Sequence, residues 1–132
     1  MTGLDTNVLV RYIVQDDPRQ SRLAEEFIER SCDETTPGFI SQIVLCELVW
    51  VLRRSYGYSK EIISQVLRQI LSTKELRVEQ SSCVWRAVKA FESGGADFSD
   101  YLLGAFHQQE GCRFTVTFDE KAARSDLFSL LT

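Results

Sequence analysis

Apolar residues recur at three- and four-residue intervals through most of the chain, separated by short runs with a different rhythm. Val8, Leu9, Tyr12 and Ile13 have helical spacing behind Thr2 to Leu4, which can be a short strand. Asp17-Pro18 reads as an N-cap with proline at the first helical position, and the helix it opens runs to about Arg30, burying Leu23, Ala24, Phe27 and Ile28. Thr35 to Gly38 breaks the pattern, Phe39-Ile40 predicts a brief strand, and Ser41 caps a helix ending at Arg53 and Arg54. Ser59 caps a further helix to about Leu71. Leu76 to Glu79 reads as a strand, Ser82 to Phe91 as a helix, and Gly94-Gly95 as a break. Ser99 is expected to cap a helix from Asp100 to about Gln109, ended by Gly111. Arg113 to Phe118 is rich enough in β-branched and aromatic residues to be a strand, followed by a short helix from Asp119 and a strand at Phe128 to Leu131.

Strands separated by helical segments predict parallel pairing through right-handed crossovers. The expected fold is a three-layer α/β sandwich, a central parallel sheet flanked by helices, in a single domain over residues 1–132. Binding sites in such sheets form at the carboxyl ends of the strands.

Composition narrows this picture. A hydrophobic fraction of 44% and a charged fraction of 26% suit a globular domain. The longest apolar stretch, Ile43 to Leu52, is interrupted by Glu47 and is too short for a membrane span, and no basic segment followed by an apolar core opens the chain. A cytoplasmic protein is expected. Cys32, Cys46, Cys83 and Cys112 are widely separated with no C-x-x-C pair, so buried thiols are favoured over a disulfide or zinc role. The formal net charge of −4 argues against broad, non-specific nucleic-acid binding but not against a local basic patch.

The acids carry the chemistry. Glu47 lies between Ile43, Val44, Leu45, Cys46 and Leu48, Val49, Trp50, Val51, Leu52. An apolar stretch this continuous covers nearly every helix face, and a carboxylate buried there requires compensation. The alternative is a solvent-facing or arginine-paired Glu47. Asp5 is another lone charge in an apolar segment, where a first strand ends; it can be a helix N-cap, a metal ligand, or both. From Asp100, a helix of about ten residues advances roughly 15 Å, and Arg113 to Phe118 returns about 16–20 Å as strand. Asp100 and Asp119 are therefore expected at one end of the sheet. Asp97 is close enough to join them, or to cap the helix. Such clustered carboxylates repel unless cations are present, and oxygen-only ligands favour Mg²⁺ or Mn²⁺. Two such ions can activate water and stabilise both oxygens of a phosphodiester displacement, without a nucleophilic side chain.

The segments Leu4-Asp5-Thr6-Asn7-Val8-Leu9, Glu47 in its apolar helix, Ala96-Asp97-Phe98-Ser99-Asp100 and Thr115-Val116-Thr117-Phe118-Asp119 together resemble the acidic motifs of PIN-domain ribonucleases, specifically VapC toxins of type II toxin–antitoxin pairs. The resemblance spans essentially the whole chain. It implies a PIN-like sandwich, an endoribonuclease dependent on Mg²⁺ or Mn²⁺ and metal-activated water, a homodimer, and inhibition by a cognate antitoxin. It gives Asp5, Glu47, Asp100 and Asp119 the acidic-ligand roles, with Asp97 as a further acid. Thr6, Asn7 and Thr117 would orient carboxylates or a metal's water.

Arg11, Arg53 and Arg54 lie near these segments, and at least one is expected to contact RNA phosphate, with solvated helix-end charge as the alternative. Tyr12, Phe27, Trp50, Trp85, Phe91 and Phe106 read as core or dimer surface rather than base-stacking platforms. His107 reads as structural. Two competing functions remain: an aspartate-based phosphatase or receiver-like domain, which Asp5-Thr6-Asn7 fits poorly for want of a second aspartate, and a catalytically silent PIN-fold interaction module, which the full set of acids disfavours.

Overall fold

A computed structural model describes residues 1–132, which form two compact units, Met1–Glu79 and Gln80–Thr132. The first comprises β1 (Thr2–Gly3), α1 (Thr6–Val14), α2 (Pro18–Ser31), β2 (Gly38–Ile40), α3 (Gln42–Arg54), α4 (Lys60–Ser72) and β3 (Leu76–Val78). Its strands form a parallel sheet in the order β1-β2-β3, with Gly3 opposite Phe39 and Ile40 opposite Val78. Helix α1 packs on α2 and α3, and α4 on β3. The apolar stripes meet at Leu9, Ile28, Ile40, Leu48, Leu52 and Ile63, all essentially inaccessible to water.

The helix starts follow the capping chemistry. The Asp17 carboxylate accepts from the Gln20 N–H at 3.0 Å with Pro18 leading the helix. The Ser41 and Ser59 hydroxyls accept from Val44 at 3.2 Å and Ile62 at 3.3 Å.

The second unit comprises α5 (Ser81–Ser93), α6 (Phe98–Gln109), β4 (Thr115–Thr117), a 3₁₀ turn (Ala122–Arg124) and β5 (Phe128–Leu130). Strands β4 and β5 pair in parallel, Thr115 opposite Phe128. Helices α5 and α6 lie against each other, their join marked by an edge-on contact between Phe91 and Phe98, ring centroids 5.9 Å apart. Parallel strands flanked by helices are thus the architecture, carried by a three-stranded and a two-stranded sheet.

Several expectations need correction, among them the burial of Leu23 and Phe27, which are 52% and 37% exposed. Helix α6 starts at Phe98 with Asp97 as its N-cap, not at Asp100 behind Ser99. Asp97 and Asp100 have capping-box spacing, and the Asp97 N–H donates to Asp100 Oδ2 at 3.3 Å. The helix expected from Asp119 is only the 3₁₀ turn, because the Asp119 carboxylate takes the N–H groups of Lys121 and Ala122 at 2.8 and 3.2 Å and holds the backbone in a tight turn. The strand expected over Arg113 to Phe118 is confined to three residues, flanked by exposed Phe114 and Phe118. All four cysteines are free, and Cys112 is exposed rather than buried.

Candidate active site

The first unit carries Asp5, Thr6, Asn7 and Glu47. Asp5 occupies the N-cap position of α1 in extended conformation; its carbonyl accepts from Val8 and Leu9, but its side chain makes no capping bond. The exposed carboxylate is therefore available to a ligand. The next residue, Thr6, is buried, and its hydroxyl donates to Glu47 Oε1 at 2.9 Å across the packing of α1 on α3. Asn7 is exposed beside them.

Glu47 itself is exposed, which corrects the inference that its apolar surroundings bury it. The cause is the geometry of α3. Residues 43, 47, 50 and 54 lie on one side of a 3.6-residue helix, and that side faces water, with Ile43 73% and Trp50 60% exposed. Leu45, Leu48 and Leu52 face the core instead. The Arg54 guanidinium sits over the Trp50 ring at 5.7 Å, a cation–π contact, so Trp50 is surface and not core. Arg53 is exposed alongside.

Arg11 is committed elsewhere. Its guanidinium donates to Gln20 Oε1 at 2.7 Å, Asp16 Oδ1 at 3.0 Å and Tyr56 Oη at 3.3 Å, and the Tyr56 hydroxyl donates to Asp16 Oδ2 at 2.8 Å. The Tyr56 hydroxyl, with help from the Arg11 charge, holds the Asp16 carboxyl below the usual aspartate range. This network ties the end of α1 to the start of α2 and the turn after α3. Motif reading missed it because Asp16 and Tyr56 stand in no recognisable pattern.

The second unit carries Asp97, Asp100, Thr117 and Asp119. Asp100, in the first turn of α6, is half-buried; burial pushes its carboxyl up, the hydrogen bond from the Asp97 N–H opposes this, and the charges of Asp119 and Asp97 add to the rise. The Thr117 hydroxyl accepts from the Asp119 N–H at 3.0 Å, while Asp119 Oδ1 takes the two turn amides described above. Oδ2 of Asp119 is left open. His107 is structural in its contacts, its Nδ1 2.8 Å from Thr115 Oγ1.

Asp97, Asp100 and Asp119 are all oxygen donors of the kind a hard divalent cation takes, and the charges of Asp97 and Asp119 act on Asp100. As the side chains stand, no three acidic, histidine or cysteine groups form a preassembled metal cage.

The chain belongs to the PIN domain family, whose pattern matches residues 4–126. Among individual proteins it is similar to a VapC ribonuclease of Aquifex aeolicus (strain VF5), 26% identical over 121 residues, which cover 92% of this chain and 89% of that protein. No solved structure matches. No helix is long and apolar enough to cross a membrane.

Proposed function

We propose that this chain is a VapC-type endoribonuclease, the toxin member of a toxin–antitoxin pair, hydrolysing RNA phosphodiester bonds with Mg²⁺ or Mn²⁺ as a single cytoplasmic PIN domain over residues 1–132. The observation that supports it most is the family match across residues 4–126, within which Asp5, Glu47, Asp97, Asp100 and Asp119 all fall. The similar VapC ribonuclease supports the choice of RNA as substrate, and a cognate antitoxin as partner belongs to the same proposal. A homodimer is part of the same reading.

Asp5, Glu47, Asp100 and Asp119 are the proposed ligands, with Asp97 as a fifth acid. These residues would hold the divalent ion, which would supply Lewis acidity toward water and the phosphate. The chain's own groups prepare the ligands. Thr6 restrains Glu47 through its hydroxyl, Thr117 and the turn amides restrain Asp119, and the Asp97 N–H restrains Asp100. Asn7, one turn position beyond Thr6, is assigned to orient water or Asp5. Arg53 and Arg54, exposed at the end of α3, are the better candidates for RNA phosphate, since Arg11 is already engaged by three side chains.

The test uses purified protein freed of any antitoxin, incubated with total cellular RNA and Mg²⁺ or Mn²⁺ beside its Asp5→Asn and Asp100→Asn variants. Discrete, metal-dependent cleavage lost in both variants is expected. Identical behaviour of wild type and variants overturns the proposal.

A further inference from the structure

The second unit contains a hollow of about 460 Å³, walled by Ser93, Gly94, Tyr101, Lys121, Arg124 and Asp126 among others. It has no place in the acidic site described above, and its chemistry is opposite in sign. Lys121 and Arg124 bracket the 3₁₀ turn, where residues three apart eclipse one another, so both cations leave the turn on one side. Neither forms an ion pair or a side-chain hydrogen bond. Asp126 in the wall opposes them with one negative charge against two positive. The opposite wall is tightly built: the Tyr101 hydroxyl accepts from the Ala96 N–H at 3.2 Å and packs so closely on Gly94 that any Cβ there would collide with it.

Two unpaired cations in a concave, partly polar wall suit an anion, and their position selects which one. Lys121 and Arg124 follow Asp119 in the same turn, whose backbone the Asp119 carboxylate holds through the Lys121 and Ala122 N–H groups. Tyr101 follows Asp100 directly on α6. The hollow is thus built on the same two segments, the start of α6 and the turn after β4, that carry two of the proposed ligands. The geometry points to this hollow as a subsite for a backbone phosphodiester flanking the bond to be cut, with Lys121 and Arg124 as its charge partners. The inference rests on the ribonuclease reading and adds a binding element to it.

The test measures binding without reaction. A fluorescent single-stranded RNA decamer is titrated with the full-length protein in EDTA at several salt concentrations, using wild type, Lys121→Ala/Arg124→Ala, and Arg19→Ala/Arg22→Ala as a control with the same change in net charge. Each phosphate neutralised on a single strand contributes about 0.7 to the log–log salt slope, so the Lys121/Arg124 variant is expected to bind about tenfold more weakly with a slope shallower by about 0.7. The control is expected to track wild type. An unchanged slope, or equal losses in both variants, overturns the subsite. Inorganic phosphate at matched ionic strength is expected to compete only at millimolar levels; micromolar competition assigns the hollow to a small phosphate ligand and overturns the RNA assignment. Cleavage is scored separately with Mg²⁺ or Mn²⁺. Wild type that cleaves with an unchanged slope leaves the ribonuclease and removes the subsite, whereas the expected slope change without cleavage does the reverse.

Discussion

Replacing Thr6 by valine removes one hydroxyl and almost nothing else, because both side chains are β-branched and similar in volume. That hydroxyl is 2.9 Å from Glu47 Oε1, and Thr6 is only 7% exposed. A hydrogen bond to a charged group contributes about 1.5–3 kcal/mol, but Glu47 is exposed and partly satisfied by water, which lowers the expected loss to about 1 kcal/mol. In a chain of this size that is a fall in Tm of about 4 °C. Urea melts of Thr6→Val, Glu47→Ala and the double variant should show the cost of Thr6→Val vanishing once Glu47 is gone. If the bond also holds Glu47 for reaction, losing it slows RNA cleavage about fivefold, and Thr6→Ser, which keeps the hydroxyl, cleaves like wild type. Equal cleavage by Thr6→Val and Thr6→Ser would refute the positioning argument. Equal melting costs with and without Glu47 would refute the bond.

Two further outcomes follow from the second unit. Asp100→Asn should abolish cleavage while melting at or above the wild-type temperature near neutral pH. The Asp100 carboxyl is raised on folding, so its stabilising contribution is complete below the ordinary aspartate pKa of about 3.9 and is lost as pH rises through the folded value, and the advantage of the variant should grow over that same rise in a series of melts. A variant that melts lower at every pH would contradict this. Asp119→Asn should lose cleavage but keep RNA binding in EDTA, because its side-chain oxygen can still accept from the Lys121 and Ala122 N–H groups, whereas Asp119→Ala should loosen the turn and weaken both. Equal RNA affinity for the two would separate Asp119 from the placement of the cations.

Much of this was legible from spacing alone. Asp17, Ser41 and Ser59 cap helices because their side chains reach a backbone N–H three residues on, a local property the sequence displays directly. The cap of α6 is less decisive, because the sequence offers Ser99 for that role and Asp97 as an alternative. Ser99 and Asp97 are both good caps, and the competition is decided by a reciprocal bond from the Asp97 N–H to Asp100 that a one-sided reading does not count. The exposure of Glu47 is the less favoured of the two readings the sequence leaves open. The continuous apolar stretch from Ile43 to Leu52 favours a buried Glu47, yet apolar side chains also cover much of a folded surface, and nothing in ten contiguous residues says which stripe faces inward. The Arg11 network joins residues up to 45 apart in sequence and needed the fold to bring them together.

A net charge of −4 poses the remaining physical problem, since RNA is a polyanion and so is a site crowded with carboxylates. The turn after β4 separates the two signs locally. Backbone N–H groups occupy Asp119 Oδ1 and leave Oδ2 open, while the same turn sends Lys121 and Arg124 out unpaired. In the proposed site one carboxylate would thus do two things: offer oxygen to a cation and fix the backbone from which two positive side chains emerge. Overall charge is a poor guide when opposite charges are sorted over a few residues, because interactions beyond about 8 Å are screened at physiological salt and an approaching strand responds to the nearest groups. An acidic protein can in this way offer a phosphate-binding wall beside a metal-binding one without a basic surface elsewhere.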